Sequence, residues 1–458
     1  MKRLVIREHS LIIRSHHRDF RSEVSGKVYL EPQLYDRLKK FDQQQLDESN
    51  RVFNWGDMRA KAQQWVGVLQ VPGLQLEILP KIDELRSSHD TEDEARQNLL
   101  YMLSVSGEVP VRSRDLARLT HRKAPISEIL AKIFAQRLLT ELLQGPARSY
   151  LQQEENLRRF KGKLIVTKQT LLNAAHRERF YCQFEEFSDD TLMNRIFRLA
   201  CRRLLDFTNA PSTQDNLRHC LLLLDSVQDL SIHDKLFDSV ILNRQNERYA
   251  DILQFCRLIL RGHSPTVQAG QAQSFSVLFD MNQVFERFIA GFIKTRVMPS
   301  LPDYKLFSLS RKKIQHLMSC SGRGVLPLKP DLLIESPNKK HRLVLDTKWK
   351  RLTNEGSRGG VSTSDLYQLY AYTRRYGCLR SVLLYPHVRD AEPRDFNIIN
   401  KDEMHSGEQV GIRFIKLHRN LYAEPERNEL ASELLDLIKA FFAEIELCNS
   451  PSAGGTVA

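Results

Sequence analysis

Two short β-type runs near residue 340 constrain this chain more than any other stretch. Asp331 to Glu335 and Leu343 to Asp346 are rich in Leu, Ile and Val, and Pro337-Asn338-Lys339-Lys340 supplies a turn between them. A hairpin of this kind brings its two ends together. Pro330-Asp331 opens the first run, and Asp346-Thr347-Lys348 closes the second. Side chains alternate along a strand, so Asp346 and Lys348 share a face and Asp331 is set beside them. The flanking pattern is helical before and after. Asp280 to Val297 carries Met281, Val284, Phe285, Phe288, Ile289 and Phe292 on one side. Ser364 to Tyr376 reads as a second helix, and Ser381 to Tyr385 as a buried strand. The order helix, strand, strand, helix, strand predicts an α/β domain over residues 275–450.

Two carboxylates and one lysine on a sheet edge suit hydrolysis of a phosphodiester. Asp331 and Asp346 can hold one or two Mg²⁺ ions, with Mn²⁺ as a substitute, to activate water and neutralise charge growing on phosphate. Lys348 can orient or help deprotonate that water and stabilise the transition state. A surface hairpin of alternating charge satisfies the same pattern. Glu286, on the preceding helix, is a third candidate metal ligand and catalytic carboxylate. Its position at the border of the apolar face also fits a solvent-facing glutamate. Gln368 and Tyr372 lie four residues apart on one helix face, where an amide and a phenol could contact a phosphate or the scissile end. The alternative is an aromatic face packed on the sheet, which must hold for some of Tyr367, Tyr370 and Tyr372.

Charge points the same way. Residues 287–380 hold 19 Lys and Arg against 6 Asp and Glu, whereas the whole 458-residue chain holds 68 against 56. The remainder is therefore close to neutral, and the excess gathers around the candidate site as a field for a polyanion. Arg311-Lys312-Lys313, Lys339-Lys340, Lys348-Trp349-Lys350-Arg351 and Arg374-Arg375 build it. A solvated basic face with no ligand is the alternative. No apolar run approaches the roughly 18 residues of a membrane span. The start, Met1-Lys2-Arg3-Leu4-Val5-Ile6-Arg7-Glu8, lacks the apolar core of an export signal. The 7 cysteines are scattered, with no Cys-x-x-Cys. These features argue against a disulfide framework or structural zinc and predict a reducing, cytoplasmic setting.

Residues 1–110 read as strands and turns. The clearest piece is a hairpin of Val66–Val71 and Leu74–Leu79 around Pro72-Gly73. Helices are expected next, at Pro125–Gln144, Leu192–Phe207, Asn216–Val227 and Arg248–Arg261. The polar, Gly/Ser/Gln-rich stretch 263–274 reads as a linker. A last helix covers about Arg427–Glu446, and 451–458 reads as a loose tail.

Pro330-Asp331 with Asp346-x-Lys348 resembles the signature of the PD-(D/E)xK nuclease superfamily. Gln368-x-x-x-Tyr372 is similar to an extra motif in several of its branches. The block Asp280-Met281-Asn282-Gln283-Val284-Phe285-Glu286-Arg287-Phe288 resembles the McrC family, the nuclease subunits of McrBC modification-dependent restriction systems. Val66–Ile82, Asn98–Leu103 and Glu185–Arg195 agree with it, so the resemblance runs from about residue 60 to 385. It implies an α+β multidomain fold. A mixed β/α region with a helical middle, residues 1–262, would dock on a partner, and a restriction-endonuclease-like α/β domain would follow. It also implies a partner, the hexameric AAA+ GTPase McrB, which recognises modified cytosine in double-stranded DNA, translocates it and is stimulated by its nuclease subunit. GTP would bind that partner. The chain itself has no Gly-x4-Gly-Lys-Ser/Thr phosphate loop; Gly162-Lys163-Leu164 comes nearest and lacks the first glycine and the hydroxyl.

Three functions compete. The first is a Mg²⁺-dependent endonuclease subunit of a GTP-driven restriction complex. The second is a non-catalytic DNA-binding adaptor or activator of an AAA+ motor. The third is a stand-alone repair nuclease. An adaptor has no need of Asp331, Asp346 and Lys348 together, and a solitary nuclease has no need of so long an N-terminal half.

Overall fold

The computed structural model describes residues 1–15, 21–22, 26–44, 51–82, 90–110, 124–230, 236–261, 274–308, 314–352, 356, 358–388, 391–399 and 408–448. Contacts divide the chain into two compact units. Residues 1–68, 73–123 and 278–458 form one, and residues 69–72 and 124–277 form the other.

The chain opens with β1 (Lys2–Arg7), β2 (Leu11–Arg14), β3 (Arg21–Ser22), β4 (Lys27–Leu30), α1 (Pro32–Gln43), β5 (Phe53–Trp55), β6 (Arg59–Ala62), β7 (Trp65–Val71), β8 (Leu74–Leu79) and α2 (Asp90–Val105). β1 and β8 run parallel, with Leu4 opposite Leu76 and Ile6 opposite Ile78. The β7–β8 turn is the expected one, and Gly73 sits there at φ +87° against Leu34 of α1. β3, β4, β2, β6 and β5 form a separate sheet. Asp42, buried at the end of α1, accepts from Val52 N at 2.8 Å and Trp55 Nε1 at 2.7 Å, tying the helix to β5. The reading of residues 1–110 as strands and turns therefore misses two helices. Leu34, Leu38 and Phe41 lie buried at helical spacing in α1. In α2, Leu99, Leu100, Tyr101, Met102 and Leu103 are all buried, and such a continuous apolar run does not separate helix from strand by period.

The second unit contains α3 (Ile126–Leu143), β9 (Ser149–Leu157), β10 (Lys163–Leu164), α4 (Val166–Leu172), β11 (Phe180–Ser188), α5 (Leu192–Leu205), α6 (Pro211–Leu223) and α7 (Ala250–Arg261). α3 ends where Gly145 adopts φ +113°. Edge-on packing of Phe134 against Phe255 marks the helical core. β9 and β11 pair antiparallel along their whole length, from Ser149–Ser188 to Leu157–Phe180. The sequence reading has helices dominate this region and places no strand in it. The strand Ser149-Tyr150-Leu151-Gln152-Gln153-Glu154-Glu155-Asn156-Leu157 buries neither face, so it lacks the apolar alternation that marks a half-buried strand. The expected linker, apart from Ser274, and the expected tail lie outside the described residues.

The remainder runs β12 (Phe275–Asp280), α8 (Met281–Phe292), β13 (Lys305–Ser308), β14 (Gln315–Cys320), β15 (Arg323–Leu328), β16 (Leu332–Glu335), β17 (Arg342–Thr347), α9 (Thr363–Tyr376), β18 (Arg380–Pro386), β19 (Arg394–Asn397), β20 (Gln409–Ile415) and α10 (Glu424–Cys448). The Asp280 side chain caps α8 at Asn282 N, and Ser362 caps α9 at Asp365 N. Gly377, at φ +63°, closes α9. Six strands form one sheet in the order β13–β16–β17–β18–β20–β19. β16–β17 is the expected hairpin, with Leu332 opposite Leu345. β17 and β18 are parallel, which requires a crossover, and α9 supplies it. Leu369 and Tyr372 of α9 pack with Val344, Leu383 and Ile412 of the sheet.

The contacts do not divide the chain at residue 262. Tyr101 of α2 packs edge-on against Phe288 of α8. Gly291 admits α2 closely, since a Cβ there would stand 2.5 Å from Val105 O. Asn98 Nδ2 donates to Leu417 O at 3.0 Å and Arg419 O at 2.7 Å, and Leu421 N donates back to Asn98 Oδ1 at 3.0 Å. Apart from residues 69–72, the described residues up to 110 thus belong to the body that carries the six-stranded sheet. The fold is α+β and multidomain, as expected. Among the described residues no helix is long and apolar enough to cross a membrane.

Candidate functional site

The site forms where β16, β17 and α9 meet. Asp331 precedes the first residue of β16, and its Oδ2 accepts from both the backbone N and the Oγ1 of Thr347, each at 2.6 Å. Thr347 thereby locks the two strand ends together. Asp346 is 1% exposed, and Lys348 Nζ stands 2.6 Å from its Oδ2. That approach is an ion pair without hydrogen-bond alignment, so Asp346 Oδ2 is buried with no aligned donor. Lys348 Nζ donates to Gln368 Oε1 at 3.0 Å, Gln368 Nε2 to Tyr372 OH at 2.8 Å, and Tyr372 OH to Lys329 O at 3.0 Å. Five of the six sequence candidates thus sit in a connected patch. The four-residue spacing of Gln368 and Tyr372 serves to hold Lys348. Of the three tyrosines, Tyr372 is buried, whereas Tyr367 and Tyr370 are exposed.

Glu286 joins through charge. It is half-buried on α8, and burial, then the negative charges of Asp331 and Asp346, push its carboxyl up to about 7. Burial, then Asp331, likewise raises Asp346 to about 7, against the pull of Lys348. Asp331 is raised by burial despite its bonds from Thr347. Burial disfavours the charge on Lys348, but Asp346 outweighs it, and the amine is held above its ordinary range. Three mutually repelling carboxylates, one of them buried against Lys348, offer hard oxygen donors to a divalent cation. Among the described residues no three His, Cys, Asp or Glu side chains converge tightly enough to hold a metal by themselves. Mg²⁺ needs only one or two carboxylates with waters, so the donor set fits that ion.

Sequence reasoning missed the support around this patch. Lys350 Nζ pairs with Asp365 Oδ2 at 3.0 Å, and Tyr385 OH donates to the same oxygen at 3.3 Å. Ser362-x-x-Asp365 is a capping pattern that could have marked this acid. The basic field is also thinner than linear counting implies. Arg287, Arg296 and Arg374 pair with Glu108, Glu424 and Glu408, all outside residues 287–380. Lys339, Lys340 and Arg375 are exposed, and Arg311-Lys312-Lys313 lies outside the described residues.

A family model for the McrBC 5-methylcytosine restriction system component matches residues 60–386. The chain belongs to this family. The match in this McrBC family member ends with β18 and so includes every candidate site residue. Among solved structures, a chain from the refined half-complex of a tetradecameric assembly of Thermococcus gammatolerans McrB AAA+ hexamers with bound McrC is similar. It is 20% identical, with a TM-score of 0.68 over 95% of this chain and 100% of that one. That likeness supports the fold. A chain from the cryo-EM structure of the Thermococcus gammatolerans McrBC complex is 22% identical, with a TM-score of 0.48 over 64% of this chain and 88% of that one. No curated protein matches.

Proposed function

We propose that this McrBC family member is the endonuclease subunit of a GTP-dependent complex that restricts double-stranded DNA carrying modified cytosine. The observation that carries the reading is the convergence of Asp331, Asp346 and Lys348 at the adjoining ends of β16 and β17, with Gln368 gripping the lysine. Asp331 and Asp346, with Glu286 beside them, would hold Mg²⁺ or Mn²⁺. When bound, such an ion supplies Lewis-acid stabilisation of phosphate charge and an activated water.

The chain's own residues do the rest. Asp346 holds the Lys348 amine above its ordinary range, which favours the role of a cation facing the phosphate. Gln368, itself held by Tyr372, fixes the direction of that charge. Thr347 spends both donors on Asp331 and orients its carboxylate towards the site. Exposed Lys339, Lys340 and Arg375 suit the DNA backbone, whose phosphates release counterions on contact.

A separate AAA+ GTPase as motor fits the restriction-system family, the McrB hexamers in the Thermococcus assembly, and the missing phosphate loop. The test is plasmid cleavage on methylated and unmethylated DNA, with and without the motor and GTP. Cleavage that needs methylation, motor, GTP and Asp346 supports the reading. A chain that activates the motor while DNA stays intact under every condition would make it an adaptor.

A further inference from the structure

One buried acid lies outside the chemistry described so far and touches it through a single neighbour. Glu8 follows β1 and is 1% exposed. Its Oε1 accepts from Trp349 Nε1 at 2.8 Å and from Lys81 N at 2.8 Å, and its Oε2 lies 3.0 Å from the same indole nitrogen. Trp349 is the residue between Lys348 and Lys350. Its ring also packs on Phe285 of α8, centroids 5.3 Å apart, next in sequence to Glu286. The three residues after β17 therefore point to different holds: Lys348 to Asp346 and Gln368, Trp349 to Glu8 and Phe285, Lys350 to Asp365. Burying a carboxylate is costly unless its bonds are made, and Glu8 spends its bonds on this turn and on Lys81.

We propose that Glu8 is a positioning residue of the nuclease site: by gripping the Trp349 indole it fixes the turn that delivers Lys348 to Asp346. This rests on the nuclease reading of Asp331, Asp346 and Lys348. Beyond that reading, it makes the N-terminal strand part of the cutting machinery.

The test uses the full chain with its motor. Glu8→Gln keeps an Oε1 that can accept from both the indole and Lys81, so it should cut DNA nearly as well as wild type. Glu8→Ala should lower turnover about 10- to 100-fold, as loss of an orienting outer-shell bond does, with KM for DNA unchanged. A second readout does not need activity. Lys348 should become acetylated several-fold faster in Glu8→Ala, as read by peptide mass mapping, while exposed Lys163 in the other unit stays at its wild-type rate. If Glu8→Ala fails to fold, Trp349→Phe removes the N–H and keeps a ring against Phe285, and it should expose Lys348 in the same way. Wild-type turnover and labelling in these variants overturns the proposal. So does a loss that Glu8→Gln shares in full, or one in which Lys163 labelling rises alongside Lys348. A wild-type chain that cuts no DNA sinks the nuclease reading instead, and the Lys348 labelling still decides the role of Glu8.

Discussion

Asp346→Asn should make the protein more stable while removing its cleavage activity. Burial and Asp331 raise the Asp346 carboxyl from an ordinary 3.8 to about 7, so above neutral pH the folded chain carries a charge it holds unwillingly. Each pH unit of such a rise is worth about 1.4 kcal/mol, so the ionised group costs on the order of 2–4 kcal/mol of stability. Asn keeps the shape and removes the charge. The folded value lies above the unfolded one, so the cost is absent below about pH 4, grows as pH rises, and is complete above about pH 7. The gain from Asn must follow that curve. Thermal melts of both proteins at pH 5 and pH 8 test it. Asn should melt higher at both, with a gap at pH 5 less than half as large as at pH 8. Adding Mg²⁺ at pH 8 should raise the wild-type melting temperature and close most of the gap. A pH-independent difference, or a less stable variant at pH 8, would refute the account of Asp346 as a strained, cation-seeking carboxylate.

Lys348→Ala should leave the fold intact and abolish turnover, and normal plasmid cleavage by this variant would remove the lysine from the site. Gln368→Ala frees Lys348 from one of its two partners, so it should reduce cleavage less than Lys348→Ala; an equal loss would give Gln368 a direct role. DNA binding by the full chain should weaken steeply with salt, since the contacts fall to exposed cations; fluorescence anisotropy at two salt concentrations reads the slope. A fragment starting at residue 275 should fail to fold by circular dichroism, because it loses Asn98 from the 417–421 backbone, Tyr101 from Phe288 and Glu8 from Trp349. A cooperative melt from that fragment would show that the six-stranded sheet stands alone.

How much of this was legible in the sequence depended on whether a residue's partner was local. The β16–β17 hairpin announced itself because both runs are apolar and a Pro-Asn turn joins them. α8 showed a one-sided apolar stripe, and the apolar face from Met281 to Phe292 is buried as that stripe requires. α9 with β18 followed from a helix and a buried strand in succession. The misses share a physical cause. α2 is apolar on too many sides to show a period, since it is wedged between the N-terminal sheet and α8. β9 buries no residue, and β11 buries only Cys182 and Phe184, so the pair carries little apolar alternation. β19 has only four residues, and among the described residues β14 and β15 pair only with each other, with most of their side chains in solvent.

The candidate site divides along the same line. Asp331, Asp346 and Lys348 could be grouped by hairpin geometry, because strand alternation and one turn fix their relative positions. Gln368 and Tyr372 could be grouped with each other by helical spacing, but nothing local said that Gln368 would reach Lys348. Glu8 is the extreme case. It lies 341 residues from Trp349, at the end of a strand whose own pattern says only that Leu4 and Ile6 face inward. No spacing rule connects the two. What could have raised the question is the tryptophan itself: a large apolar ring between two lysines, on a strand end where its neighbours face the site, must be buried on the opposite side. Its N–H must then find an acceptor there. The sequence poses that demand at residue 349, and only the fold shows that residue 8 meets it.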